Sequence, residues 1–345
     1  MRTEVNIIPE ITWRFTEANS RIIDLNEVEY KQYSDSANEK ISDEFNKIFV
    51  NKKYGVSREV LELNQKLKNY EKFYVLDENT CLEENFYFDE NNNFLSDQHG
   101  IFAKENTDST LIFDYKSSED VETFKNSVFK IKAEKNSNLK IVIIQRLSNF
   151  SKSFLSIVSD IDEGANVHLV HIELGAKESY ANYRAILGSE KAHADIKTAY
   201  FVNEDRYLDL GYEITHLGRK TTSDMVINGV LKDFAKKRFA GTLDFKKGCT
   251  LAQGNEEEFV TLLDPTVKNW AIPLLLARED DIVGNHAASA GRIAKDMLFY
   301  ITSRGFDSEA AKRIIIESKL KPIFDLIGNE KISEELLEEL RKGIN

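Results

Sequence analysis

The sequence predicts a mainly β chain with helical segments at both ends, and three observations carry that prediction. From about residue 139 to 285, short runs such as "LKIVIIQRL", "SFLSIVSDI", "NVHLVHIEL", "HADIKTAYF" and "SDMVINGVL" recur at intervals near a dozen residues. Turn fragments, "DEGA", "LGSEKA" and "LGRKTT", separate them, and no helical pattern lies between. From about residue 291 onward the apolar side chains are spaced for helices instead. The missing helices exclude βαβ units and leave a sandwich, a barrel or a β-solenoid.

Taken in order, the first 70 or so residues read mostly as helix. Ile41, Phe45, Ile48 and Phe49 make one apolar stripe, Gly55 ends that stretch, and Ser57 is placed to cap a second helix bearing Val60, Leu61, Leu67 and Tyr70. From about residue 72, Asn and Asp clusters punctuate runs rich in Phe, Tyr, Ile and Val, which is strand-and-turn chemistry. In "RFAGTLDF", Phe239, Gly241, Leu243 and Phe245 alternate with polar or small residues, the mark of a half-buried strand. Toward the C-terminus, Ile293, Met297, Leu298 and Ile301 share a helix face that Gly305 closes in the left-handed conformation. Asp307 or Ser308 caps the next helix, Pro322 ends it, and Ser333 is the expected N-cap of the last, with Ile332 and Leu337 as its staple.

The chain has 345 residues with 46 Lys and Arg against 58 Asp and Glu, a formal net charge of −12. That balance argues against nucleic acid and anionic membrane surfaces as partners, since both attract basic patches. The N-terminus lacks a signal-peptide pattern, and "AIPLLLA" is far shorter than the roughly 20 residues that span a bilayer. Cys81 and Cys249 form no CxxC pair, so the expectation is a reduced, cytoplasmic protein without a structural zinc.

Chemistry-bearing motifs are sparse. No GxGxxG, GxxxxGK[ST], GxSxG or HExxH occurs, so the expectation is a protein that is not an enzyme. The run "NEEEF" at 255–259 reads as a solvated turn rather than paired catalytic carboxylates. His168 and His171, three apart on a strand, face opposite ways and do not chelate one ion together. His99, His193 and His216 are isolated. His286 is isolated too, but it sits among small residues in "GNHAASAG", just before a helical pattern. A lone histidine is ordinarily structural.

The strings "THLGRKTTSDMVINGVL", "FAGTLDF", "KGCTLAQGN" and "GNHAASAGRIAKDMLFYITSRGFDSEAAKRIII" resemble, in order and spacing, the core of the SufB/SufD family. HAAS-x-GR-x(5)-LFY-x(2)-SRG is the most specific part, and "TWRFTEAN" is similar to a Trp-containing segment near the start of SufD-type chains. The resemblance implies a right-handed parallel β-helix (β-solenoid) over 76–288, flanked by a mostly helical N-terminal region, 1–75, and a C-terminal helical domain, 289–345. It implies a non-hydrolytic scaffold for iron–sulfur cluster assembly, paired through β-helices with a SufB-like chain or with itself, and docking the SufC ABC-type ATPase on its C-terminal helices.

Departures point to the SufD branch. Gly254 stands where SufB has a cysteine, and Asn285, His286 and Ala287 stand where SufB has Glu-His-Glu. Some SufD chains carry a cysteine where Gly284 stands. The resemblance therefore implies His286 as a cluster ligand at the dimer interface, with the cluster transient and shared with the partner and no cofactor held tightly by this chain alone. Arg304, Gly305, Ile314, Ile315, Ile316 and Leu320 are the expected ATPase-docking residues. Two alternatives stand beside this reading: a minimal self-pairing scaffold working with SufC alone, and a β-helix carbohydrate-active enzyme. The second calls for clustered carboxylates and stacked aromatics along one face, and the strands show no such repeated cluster.

Overall fold

A computed structural model describes residues 2–9, 18–25, 28–34 and 39–344. The N-terminal region carries strand as well as helix, where mostly helix was expected. β1 (Arg2–Val5) and β2 (Arg21–Asp24) pair antiparallel, followed by α1 (Asp43–Lys47) and α2 (Arg58–Leu67). Ser57 caps α2 as anticipated, its hydroxyl accepting from Val60 N at 3.1 Å. Residues 12–17 of the Trp-containing segment lie outside the described residues.

The centre is a parallel β-solenoid, which settles the choice among sandwich, barrel and solenoid. One eight-stranded sheet holds β3 (Tyr70–Leu76), β5 (Phe94–Ala103), β7 (Phe124–Ala133), β9 (Lys152–Ile161), β11 (Glu178–Leu187), β13 (Tyr207–His216), β15 (Lys236–Phe245) and β17 (Lys268–Ala277). The other holds β4 (Thr80–Phe88), β6 (Asp108–Ser117), β8 (Asn138–Arg146), β10 (Asn166–Glu173), β12 (His193–Val202), β14 (Thr222–Leu231), β16 (Ala252–Leu262) and β18 (Ile282–Gly291). Each strand therefore bonds to strands one turn earlier and one turn later. The corners continue the ladder: Asn136 N donates to Glu163 O at 3.0 Å and Lys191 N to Arg219 O at 2.9 Å. Asn136 and Lys191 adopt left-handed φ values of 57° and 58° there, a geometry asparagine tolerates well.

Alternate side chains fill the lumen. Leu139, Val167 and Ala194 stack in register, as do Ile141, Leu169 and Ile196, all buried. The 239–245 strand, expected to be half buried, is buried on both faces. Its outward side is covered by the N-terminal segment: Arg238 donates to Ala18 O at 2.9 Å and Asn6 O at 3.0 Å and pairs with Asp209 at 2.9 Å. An outward aromatic ladder also runs up this sheet, Phe94 on Phe124 and Phe154 on Tyr180, with Tyr207 above. The sequence reading missed it because its members lie a turn apart. Val5, Ile23, Val56 and Val60 pack over Phe154, Tyr180 and Tyr207, so this part of the ladder is core rather than a sugar platform.

The C-terminal helices are α3 (Lys295–Thr302), α4 (Ser308–Asp325) and α5 (Glu330–Ile344). Gly305 closes α3's turn at φ 97°, and Asp307 caps α4 through Ala310 N at 2.7 Å. Pro322 does not end α4, which continues to Asp325. A proline inside a helix costs about 3 kcal/mol, but Ile323 and Phe324, beyond it, are buried against the solenoid, worth about 1.5–3 kcal/mol each. Nor does Ser333 cap α5: Asn329 does, its side chain accepting from Ile332 N at 3.3 Å. Ser333 Oγ instead donates to Asp325 at 3.2 Å. No helix among the described residues is long and apolar enough to cross a membrane.

His216 gives the lumen a pH response. Its ring nitrogens lie 2.8 Å from Thr221 Oγ1 and 3.0 Å from Ser223 Oγ, and it stacks on Phe245 at 4.4 Å. Burial, with a smaller push from His193, lowers its pKa to about 3. The unfolded chain takes up a proton below about pH 6.5 that the folded chain refuses, so this contribution is full above that pH and is lost as pH falls toward 3. Between pH 7 and 5, His216→Gln is expected to remove about 2 kcal/mol of the fall in urea-unfolding free energy. An unchanged slope would contradict the burial argument.

Candidate functional site at the open end of the solenoid

β18 bonds to β16 on one side, and no described strand bonds to its other edge. Its side-chain orientation follows from register. A Cβ on Gly284 would meet Leu275 Cδ1 at 2.8 Å and Phe245 Cε2 at 3.2 Å, both lumen side chains. Gly284, His286, Ala288 and Ala290 therefore face inward, with His286 opposite Glu256 and Ala288 opposite Glu258. His286, Ala288 and Ala290 are nonetheless exposed and Gly284 half-buried, because no further turn among the described residues covers them.

Every other histidine has a partner. His99 bonds Asp97 at 2.7 Å, His168 lies 3.1 Å from Asn138 Oδ1, and His171 lies 2.7 Å from the Tyr212 hydroxyl and 2.9 Å from Glu173. His193 bonds Thr222 at 2.8 Å, and His216 is held as described above. His168 and His171 do face opposite ways, the first outward and the second into the lumen. Among the described residues His286 alone of the six makes no hydrogen bond or ion pair. No three His, Cys, Asp or Glu side chains among the described residues are grouped to hold a metal ion, so His286 is at most part of a site.

Below it, the acidic run does not form a solvated turn. Asn255–Phe259 lies within β16, and Glu256 and Glu258 point into the lumen, 2% and 1% exposed. Glu258 is compensated: Lys237 Nζ donates to it, and the Tyr200 hydroxyl lies 3.4 Å away. Burial lowers the Lys237 pKa against the opposing pull of Glu258. Glu256 is not compensated. Burial first, then the charge of Glu258, pushes its pKa up to about 8, and its Oε2 has no hydrogen-bond partner. A Cβ on Gly241, across the lumen, would come within 2.2 Å of Glu256 Oε1, so glycine is what leaves room for this carboxylate. Sequence reasoning missed Glu256 because 286 − 256 = 30 residues separate it from His286. The roughly one-turn spacing was the available signal.

Neither cysteine belongs to this end as an exposed thiol. Cys81 is exposed on β4, the far end of its sheet, and Cys249 is buried in the corner before β16. The expected docking residues divide. Arg304 and Gly305 are exposed and Ile314 is on the surface, whereas Ile315, Ile316 and Leu320 are buried, the last two against the solenoid and α5. Other apolar side chains of this region are on the surface, Met297 among them, which the sequence analysis placed on the shared helix face. Met297, Phe299, Tyr300 and Phe306 are all exposed, Phe299 by 74%. Arg304 stacks over the Tyr300 ring at 4.9 Å.

Residues 86–319 match the family described as the SUF system FeS cluster assembly, SufBD core domain, and the chain belongs to that family. Over 158 residues it is 28% identical to the iron–sulfur cluster assembly protein SufD of Bacillus subtilis, covering 46% of this chain and 36% of the relative. Over 202 residues it is 23% identical to an iron–sulfur cluster assembly SufBD family protein of Mycobacterium tuberculosis, covering 59% of this chain and 24% of the relative. A Staphylococcus saprophyticus SufBD family protein is 24% identical over 197 residues, covering 57% and 42%. The chain thus spans less than half the length of these relatives.

The lumen ion pair generates a prediction. Lys237→Met strands Glu258 beside Glu256 and is expected to cost about 3–5 kcal/mol in urea unfolding. Adding Glu258→Leu should recover most of that loss. A double variant as weak as the single one would show that the pair is not what Lys237 contributes.

Proposed function

We propose that this chain is a non-enzymatic scaffold subunit for iron–sulfur cluster assembly in the cytoplasm. It pairs through its last solenoid turn with a SufB-like chain, or with a second copy when alone, and docks the SufC ATPase on its C-terminal helices. The observation that carries the reading is His286, the one histidine without a partner among the described residues, facing inward at the uncovered end.

The chemistry follows from that placement. A neutral imidazole donates an electron pair to iron, and mixed nitrogen and thiolate ligation suits a cluster that is later released. The cluster is cargo, held across the interface rather than by this chain alone. Gly284, Ala288 and Ala290 carry little side-chain bulk, so a partner backbone approaches closely. The open edges of β17 and β18 supply unpaired backbone groups for that partner.

His286→Ala is expected to leave folding and pairing unchanged while lowering iron-dependent absorbance of the reconstituted complex at equal partner occupancy. Equal cluster yield in both would return His286 to a structural role, and loss of the complex would make it part of the seam. For the helices, Phe299→Glu should weaken co-purification with the ATPase at least tenfold without shifting the melting temperature, because that ring is solvent-exposed. Undiminished co-purification would remove α3 from the docking face.

A further inference from the structure

Glu256 is a buried carboxyl group with no charge partner among the described residues. The neighbouring lysine, Lys237, is engaged with Glu258, and Glu256 Oε2 is an orphan acceptor. Burying an ionisable group without a partner is costly, and an apolar side chain at this lumen position would avoid that cost. Glycine at 241, opposite, clears the space that the carboxylate occupies.

Position supplies the reason for keeping it. Glu256 and His286 are register partners on adjacent parallel strands, on the same lumen face. Such strands lie about 4.8 Å apart, so an imidazole nitrogen and a carboxylate oxygen can reach one ion from neighbouring turns. The donor set suits a ferrous ion. Resting on the reading of His286 as a ligand, we infer that Glu256 is the second iron ligand of this chain, giving a two-point nitrogen–oxygen site for Fe2+. The remaining coordination positions are left to the partner. The inference deepens that reading: iron is gripped from two successive turns rather than from the rim alone. It also accords with the absence of any three-ligand group among the described residues.

The test is anaerobic calorimetric titration of the full chain with Fe2+ alone, with Co2+ absorption as a spectroscopic check on ligation. Glu256→Gln is expected to weaken Fe2+ binding about tenfold or more, His286→Ala similarly, and the double variant by less than the product of the two. Glu257→Gln, on the opposite face of β16, should bind like wild type, and Glu256→Asp should be intermediate. Loss in His286→Ala with none in Glu256→Gln overturns the inference and leaves the His286 reading standing. Loss in Glu256→Gln alone overturns both, as does a wild-type chain that binds no Fe2+. Because no described residue hydrogen-bonds or pairs with Glu256 and glutamine keeps its shape, the iron-free Glu256→Gln chain should melt at about the wild-type temperature. A clear drop would mark the carboxylate as structural and overturn the assignment.

Discussion

The interaction on which the rest of the structure depends is the in-register parallel ladder from turn to turn. In a solenoid the strand backbone pairs with the turn before and the turn after, and here many corners add bonds to a neighbouring turn, as Asn136 N does to Glu163 O. Two consequences follow without further input. Identical lumen depths repeat along the axis, so side chains about thirty residues apart become neighbours. The two terminal turns have only one neighbouring turn each, and at the last one no described strand pairs with the outer edges of β17 and β18. The candidate site lies at one of those ends because only there does an inward-facing side chain remain accessible.

The lumen shows how buried polar groups are tolerated when matched with one another. Asp97 accepts from Tyr115 at 2.8 Å and bonds His99, and Gln145 donates to Glu173 at 2.7 Å beside His171. Lys237 and Glu258 repeat the pattern near the open end. The complements lie on the same strand, across the lumen within one turn, or, for Gln145 and Glu173, on the next turn, in a setting where an unmatched charge would be expensive. Against that background the bare carboxylate of Glu256 and the bare imidazole of His286 are exceptions, and they stand side by side.

How much of this was legible in the sequence depended on distance along the chain. Strand positions were readable because alternation and β-branched residues act within a few positions. The way the strands pair was not, because sandwiches, barrels and solenoids all bury one face; the family resemblance supplied the solenoid. The acidic run misled for the same reason: three glutamates in a row look solvated unless Lys237, 21 residues from Glu258, is known to lie beside them. Phe94, Phe124 and Phe154 form an aromatic stripe, half-buried at Phe124, that no local window displays. At Pro322 the local rule predicted a stop, and tertiary packing of Ile323 and Phe324 overrode it. His286 was legible through the resemblance, while its orientation and its neighbour Glu256 needed the register.

The route of the C-terminal chain has a consequence for the dynamics of the open end. After β18 the chain does not trail away but returns along the flank. Arg146 of β8 grips Glu335 and Glu339 of α5, each at 3.0 Å, and Lys232, just after β14, holds the carbonyls of Gly343 and Ile344 at 3.2 and 3.0 Å. The last turn is therefore a segment anchored at both ends. If it detaches, it becomes a closed loop rather than a free tail, and the entropy gained by such a loop grows only logarithmically with its length. Fraying thus returns less disorder than at an untethered terminus. A detached edge also stays at high effective concentration over the lumen, ready to re-form its ladder.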